Sequence, residues 1–241
     1  MVRALVKRAL RSAGIVASRY DPRRDPDAVR KGLLSMYSID TILDVGANIG
    51  QYGQRIRQLG YEGKIVSFEP LSSAFELLKT RAASDGNWIA KQCALGGSDG
   101  PASINIAGNS FSSSLLGMLP RHVQVAPQSA YVGKEEITVH QLDTLYDECV
   151  SSNANVFLKI DTQGFTSKVL AGARRSLGKI RGLEVELSTI PLYADEPLIH
   201  DVLTVLFDQG FLVYYLEPEI LDQNSGQQLQ LNGLFHRPKS I

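Results

Sequence analysis

Residues 42–53 read ILDVGANIGQYG. Residues 42–45 are a short apolar run of β type. Gly46 and Gly50 then mark a turn, and the spacing predicts a helix over 51–59. Strand, glycine turn and helix in that order make a cradle for a nucleotide-like ligand. Glycine permits the tight turn and close backbone approach, and the free N–H groups at the helix N-terminus face the ligand. Outward from this unit the pattern repeats. Strands are expected at 64–68 and 88–95 around a helix at 72–83, with an extra alternating strand at 102–106. Further strands at 137–142, 156–160 and 183–187 alternate with helices ending at Glu148, at 166–177 and at 198–209. The last two strands, 211–216 and 229–235, have no helix between them and read as an antiparallel hairpin at one edge. This alternation predicts an α/β fold, a mainly parallel sheet with helices on both faces and ligands bound beyond the carboxyl ends of its strands. Residues 108–134 form the longest irregular stretch, of the kind that serves as a lid or binding loop.

The chain has 241 residues, enough for one large domain and a small appendage. Basic and acidic residues balance at 25 each, which argues against a nucleic-acid binder. The balance is uneven, because residues 1–20 carry five basic groups (Arg3, Lys7, Arg8, Arg11, Arg19) and no acid. In the same stretch Val2, Leu5, Val6, Ala9, Leu10 and Ala13 share one face of a helix predicted over 2–18. Such a helix suits peripheral contact with an anionic membrane, or docking on its own domain or on a second copy in a homodimer. Residues 20–27, YDPRRDPD, read as a linker before a short helix at 28–37. The expected division is a helical extension and linker over 1–39 and the α/β domain over 40–241. The two cysteines, Cys93 and Cys149, make no scaffold or metal spacing, and the N-terminus lacks the apolar core of a secretory signal. A cytoplasmic location, peripheral at the membrane, is the expectation.

Two departures from the dinucleotide pattern narrow the ligand. Asn48 stands where the second glycine of GxGxxG belongs and would crowd a pyrophosphate. Asp44, just ahead of the glycines, suits a cationic group better than a phosphate. Glu69, at the tip of the second strand in SFEP, is placed to accept hydrogen bonds from both ribose hydroxyls. These features suit a nucleoside with a positive charge and no phosphate, a description that S-adenosylmethionine fits.

Five segments in order now become informative: ILDVGANIGQYG, GYEGKIVSFEP, CALGGSDG, VHQLDTLY and LKIDTQGFTSKVLAGA. Together they resemble the FkbM family of S-adenosylmethionine-dependent methyltransferases, from about Asp40 to Phe235. The resemblance implies the class I methyltransferase fold, Rossmann-like with seven strands. It also implies methyl transfer to a hydroxyl oxygen, often on a sugar of a glycolipid, polysaccharide or natural product. Carried onto this chain, it places Asp44, Gly46, Ala47, Asn48 and Gly50 around the methionine moiety and Glu69 on the ribose. Pro70, Leu71, Cys93, Ala94 and Leu95 then border the adenine.

Asp161 ends the fourth strand in KIDTQGF, over the expected sulfonium, where it can serve as base, metal ligand, cofactor contact or helix cap. Metal-dependent O-methyltransferases of this fold bind magnesium through carboxylates after strands four and five, and Asp161 and Glu186 match those places. The family more often carries Glu where Gln163 stands, so one charge is missing here. His140 is the preferred histidine for taking a hydroxyl proton, and His122 is a candidate acceptor contact. Lys159, on a buried-type strand, must be paired, with Asp161 two residues away on the same face. Asn109 to Leu116, NSFSSSLL, mixes hydroxyl and apolar groups as sugar sites do, with Phe111 and Tyr131 nearby. The expected acceptor is a small molecule or a lipid-linked glycan. The rival readings are a nicotinamide-dependent oxidoreductase and a methyltransferase-like binding module without catalysis. The Asn/Asp-Pro-Pro-Tyr signature of base amino-methylation is absent after strand four.

Overall fold

The computed structural model describes residues 2–16 and 19–238. The elements in chain order are α1 (Val2–Ser12), α2 (Pro26–Met36), β1 (Thr41–Val45), α3 (Gln51–Gln58), β2 (Lys64–Phe68), α4 (Ser72–Ala83), β3 (Trp88–Lys91), β4 (Ala94–Leu95) and β5 (Gly100–Ala107). Then come α5 (Pro120–Val125), β6 (Tyr131–His140), α6 (Leu142–Cys149), β7 (Val156–Ile160), α7 (Thr166–Ala171), β8 (Ile180–Ser188), α8 (Ile199–Asp208), β9 (Leu212–Leu221) and β10 (Gln228–His236). Seven strands form the main sheet in the order β3-β2-β1-β7-β8-β10-β9, and β10 alone runs against the rest. This is the expected α/β architecture, with its reversed hairpin at one edge.

Burial on both faces explains the apolar runs in β1, β7 and β8. Leu43, Val45, Leu158, Ile160 and Val185 point into one core with residues of α6, α7 and α8. Ile42, Ile65, Phe157 and Leu234 point into the other, against α2, α3 and α4. Leu33, Leu34 and Tyr37 belong to that second core, so α2 packs as part of the domain despite its place in the expected extension. Helix α1 ends at Ser12, short of the predicted 18, and Lys7, Arg8, Arg11 and Val6 are exposed. Residues 17 and 18, and the side chains of Val2, Arg3 and Leu5, lie outside the described residues.

The expected strand 88–95 is two strands. The Cys93 N–H turns back to the Lys91 carbonyl, and β4 leaves the main sheet to pair with β6. With β5 it forms a second sheet, β4-β6-β5, that packs Ile104, Ile137 and Val139 on Leu71 and Ala74. The stretch read as irregular contains α5 and the first residues of β6. The helix expected at 166–177 stops at Ala171, before a 3-10 turn over Ser176–Lys179.

At Gly46 the β1 tip presses on the β7 tip. The residue has φ +73, and a Cβ there would meet the Asp161 carbonyl oxygen at 1.8 Å. The glycine is therefore required by the neighbouring strand itself. Gly32, in α2, has nothing within 4 Å of the same position. Gly46→Ala is expected to destabilise the protein by more than about 3 kcal/mol in urea unfolding. Gly32→Ala is expected to stabilise it by about 0.5–1 kcal/mol. Equal effects would remove the backbone contact as the reason for Gly46.

Candidate active site

A cavity of about 440 Å³ opens at the carboxyl ends of β1, β2 and β7, beside Glu184 in the middle of β8, a size suited to a small ligand. Its lining includes Gly46, Ala47, Asn48, Glu69, Pro70, Leu71, Ala94, Leu95 and Asp161, nine of the residues expected there. Asp44, Gly50, Cys93, His140 and Glu186 stand outside it.

Glu69 is 4% exposed, and its two oxygens accept the Asn48 and Leu71 N–H groups at 2.8 and 2.9 Å. Asn48 holds φ +47 to make its contact. Burial pushes the Glu69 carboxyl up to about 7, against the pull of those two N–H groups. Each oxygen keeps a lone pair for a sugar hydroxyl.

Beneath the cavity a polar row crosses the sheet. The Trp88 indole N–H donates to Ser67 Oγ at 3.0 Å, and Ser67 Oγ donates to Asp44 Oδ2 at 2.9 Å. Asp44 Oδ1 lies 3.1 Å from Lys159 Nζ, an ion pair without hydrogen-bond alignment. Strand register makes this contact, since Asp44 pairs with Ser67 on one side and Lys159 on the other. Lys159 Nζ also donates to the Gly46 carbonyl at 3.0 Å and lies 3.6 Å from Asp161. Burial opposes its charge, but Asp44 and Asp161 hold its pKa above the ordinary lysine value. Asp44 is thus the partner of Lys159 and Ser67, and not the ligand-facing carboxylate that was expected.

The row continues through Glu184, beside Lys159 in register. Tyr52 donates to Glu184 at 3.0 Å, and Arg30 clasps it with Nε at 2.9 Å and Nη2 at 2.6 Å. Arg30 also pairs with Glu217. Arg30, Tyr52, Lys159, Glu184 and Glu219 all line the cavity. The sequence held one signal for Arg30: it stands on the face of α2 that carries Leu33, Leu34 and Tyr37, where a charge must find a buried partner. Glu217 and Glu219 had no such signal.

Ser110, Phe111, Ser113 and Ser114 bring the serine-rich loop to the cavity, and Asn48 Nδ2 donates to Ser110 Oγ at 3.3 Å. Tyr131 instead donates to the Leu116 carbonyl at 2.7 Å. His122 is buried edge-on against Tyr193, outside the cavity.

The remaining corrections have local causes. His140 ends β6 with Nδ1 3.3 Å from Asp99, which also accepts the Gln141 N–H at 2.8 Å. The second sheet carries it to the start of α6, away from the cavity. Cys93 points into the core, where burial pushes its thiol up to about 11. Gly50 caps α3 at φ +90, with Leu78 and Trp88 packed where a side chain would go. Glu186 is buried, and burial and then the Asp161 charge raise its pKa well above the usual range. Gln163 Nε2 donates to both Asp161 at 2.9 Å and Glu186 at 2.8 Å. That amide nitrogen stands where a magnesium ion shared by the two would need oxygen ligands. Among the described residues no cluster of three His, Cys, Asp or Glu is spaced to hold a metal. The residues present do not fit the expected magnesium.

The sequence pattern of the FkbM methyltransferase domain matches residues 44–213. The chain belongs to the FkbM methyltransferase family. No curated protein matches it by sequence. A candidate methyltransferase from Thermobifida fusca shares the fold at TM-score 0.51 and 10% identity, over 90% of this chain and 81% of that one. The precorrin-6y C5,15-methyltransferase of Geobacter metallireducens matches at TM-score 0.46 and 11% identity, over 91% of both chains. An rRNA methylase from Streptococcus thermophilus matches at TM-score 0.47 and 11% identity, over 92% of this chain and 100% of that one. In this FkbM domain the cavity lies at the strand ends where open α/β sheets bind their ligands, and its wall combines the Glu69 carboxyl with apolar Leu71 and Leu95.

Two outcomes test the electrostatics. Lys159→Met leaves Asp44 buried and unpaired, and is expected to cost about 3–5 kcal/mol in urea unfolding, much of it recovered with Asp44→Leu added. Full additivity of the two changes would break the pairing. Glu69 binds its proton more tightly folded than unfolded, so its contribution to stability is complete below its ordinary pKa of 4.5 and is lost as pH rises through about 7. Against Glu69→Gln, the wild type is expected to lose up to about 3 kcal/mol between pH 5 and pH 8. Parallel pH profiles would place the Glu69 charge in water.

Proposed function

We propose that this protein is an O-methyltransferase that moves a methyl group from S-adenosylmethionine to a hydroxyl of a sugar in a glycolipid, polysaccharide or natural product. The observation that carries the reading is one cavity with two kinds of wall. Glu69, Leu71, Ala94 and Leu95 line part of it, and Asp161 at the β7 tip, Tyr52 and Arg55 of α3, Glu219 of β9 and Asn232 of β10 bring polar groups. A sugar hydroxyl both donates and accepts, so a wall of carboxylate, amide, phenol and guanidinium groups suits it. Phe111, 58% exposed at the cavity, offers an aromatic face to a sugar ring.

S-adenosylmethionine supplies a methyl group already activated on a positive sulfur. The protein has to bind, align and receive a proton. Glu69 holds the ribose hydroxyls. Asp161 is partly open to the cavity, with Oδ1 engaged by Gln163 and Oδ2 near Lys159. It accepts a hydrogen bond from the acceptor hydroxyl and aims its oxygen at the methyl carbon. The new O–CH₃ bond forms as the carbon–sulfur bond breaks, S-adenosylhomocysteine leaves as a neutral thioether, and the hydroxyl proton passes to Asp161. Methylated oxygen is a strong acid until it loses that proton, so a carboxylate beside an ammonium suffices.

The exposed basic face of α1 supports peripheral contact with an anionic membrane that carries a lipid-linked acceptor. Among the described residues no helix is long and apolar enough to cross a membrane.

Calorimetric titration with S-adenosylhomocysteine is expected to show micromolar binding that Glu69→Ala abolishes. Asp161→Asn is expected to keep that binding and to lose about 10²–10⁴-fold in methyl transfer to sugar acceptors. Absence of binding by the wild type would remove the methyl-donor site and the proposal with it.

A further inference from the structure

Gln163 has every polar atom of its side chain engaged. Its Nε2 donates to Asp161 Oδ1 at 2.9 Å and Glu186 Oε1 at 2.8 Å, and its Oε1 accepts the Tyr193 hydroxyl at 2.8 Å. The Asp161 carboxylate and the Glu186 carboxyl oxygen each accept from the amide, and the Tyr193 hydroxyl, which also reaches the Ser112 carbonyl at 3.2 Å, donates to its oxygen, so this orientation of the amide satisfies all three partners. Its backbone is equally constrained. Gln163 has φ +52 and Gly164 φ +87, conformations that are costly for a side-chain-bearing residue at 163. Ser114 Oγ donates to the Gln163 carbonyl at 2.6 Å, and Tyr193 is fully buried over Gly164. Three separate segments, around 114, 163 and 193, thus meet to aim one amide at two carboxylates.

Two carboxyl groups that converge on one point can face each other there only where one keeps its proton, or where something positive or proton-donating stands between them. A divalent cation does this with oxygen ligands at about 2.0–2.6 Å. Here a neutral –NH₂ group does it with one N–H to each side, and its hydrogens exclude a cation from the same position. We propose that the Gln163 amide takes the place of a bridging divalent cation between Asp161 and Glu186. It acts as the positioning residue that holds Asp161 toward the acceptor, so the methyl-transfer site works without metal. The proposal rests on the methyltransferase reading for the role of Asp161. The displacement of a cation by the amide is a property of these three side chains, with the Lys159 ammonium 3.6 Å from Asp161 adding its own positive charge. It follows that exchanging this one side chain turns the place into a cation site.

The test uses the full chain and Mn²⁺ as the probe, read by calorimetry and by the electron paramagnetic resonance signal of the bound ion. Wild type is expected to bind no Mn²⁺ through Asp161. Gln163→Glu, which supplies a third carboxylate, is expected to bind Mn²⁺ with a dissociation constant of about 10–100 μM and to lose at least about tenfold when Asp161→Asn is added. Gln163→Ala vacates the place without adding charge and is expected to bind more weakly, again dependent on Asp161. That variant keeps the test open if Gln163→Glu does not fold. Wild-type binding that Asp161→Asn removes would overturn the proposal, as would folded Gln163 variants that bind no Mn²⁺. S-adenosylhomocysteine titrated into the same samples separates the two readings. Failure there counts against the donor site and leaves the Mn²⁺ result to decide the role of Gln163.

Discussion

A lysine ammonium in the middle of a parallel sheet is the constraint on which this site depends. Lys159 sits on β7 with sheet on both sides and helices above, where an unpaired charge would be expelled or neutralised. Strand register supplies the remedy. Asp44 lies beside it on β1 and Glu184 on β8, and the Gly46 carbonyl accepts from its Nζ. The same ammonium therefore ties the glycine turn that forms the ligand cradle to the strand tip that carries Asp161.

From Lys159 the row runs both ways. Toward one edge it passes through Asp44 and Ser67 to the Trp88 indole. Toward the other, Glu184 draws in Tyr52 from α3 and Arg30 from α2, and Arg30 reaches Glu217 on the edge strand. Buried pairs of this kind add little net stability but are costly to break singly. Their value here is geometric. They fix α2 and α3 against the sheet at the cavity wall, and they do so with directional contacts where apolar packing alone would allow sliding.

Much of the cavity lining around β1 and β2 was legible because its residues are local. Gly46, Ala47, Asn48, Glu69, Pro70 and Leu71 lie on one β-α-β unit, and the short connections leave little freedom in where they end. Asp44 was misread on the same unit because strand alternation gives its position but not its partner, and the partner is a residue 115 positions later in the chain. His140 and Cys93 were misread for another reason. The chain leaves the main sheet between β3 and β4, and the second sheet that results re-aims both side chains. No turn signature in Gln92 and Cys93 announces that departure. Glu186 does lie beside Asp161, but the magnesium expected between them has no support, since only the folded position of Gln163 shows an amide there.

The sequence by itself determined the order of strands and helices, the parallel sheet with its reversed edge hairpin, and the glycine turn with Glu69 at the next strand tip. Periodicity and turn chemistry act over a few residues, so a linear pattern carries them. The tertiary structure alone decided which charges are partners and which side chains enter the cavity. Arg30 with Glu184, Lys159 with Asp44, and Tyr193 with Gln163 are contacts between residues far apart in the chain. Burial makes each of those pairings obligatory, and it is the fold that sets which groups are buried together.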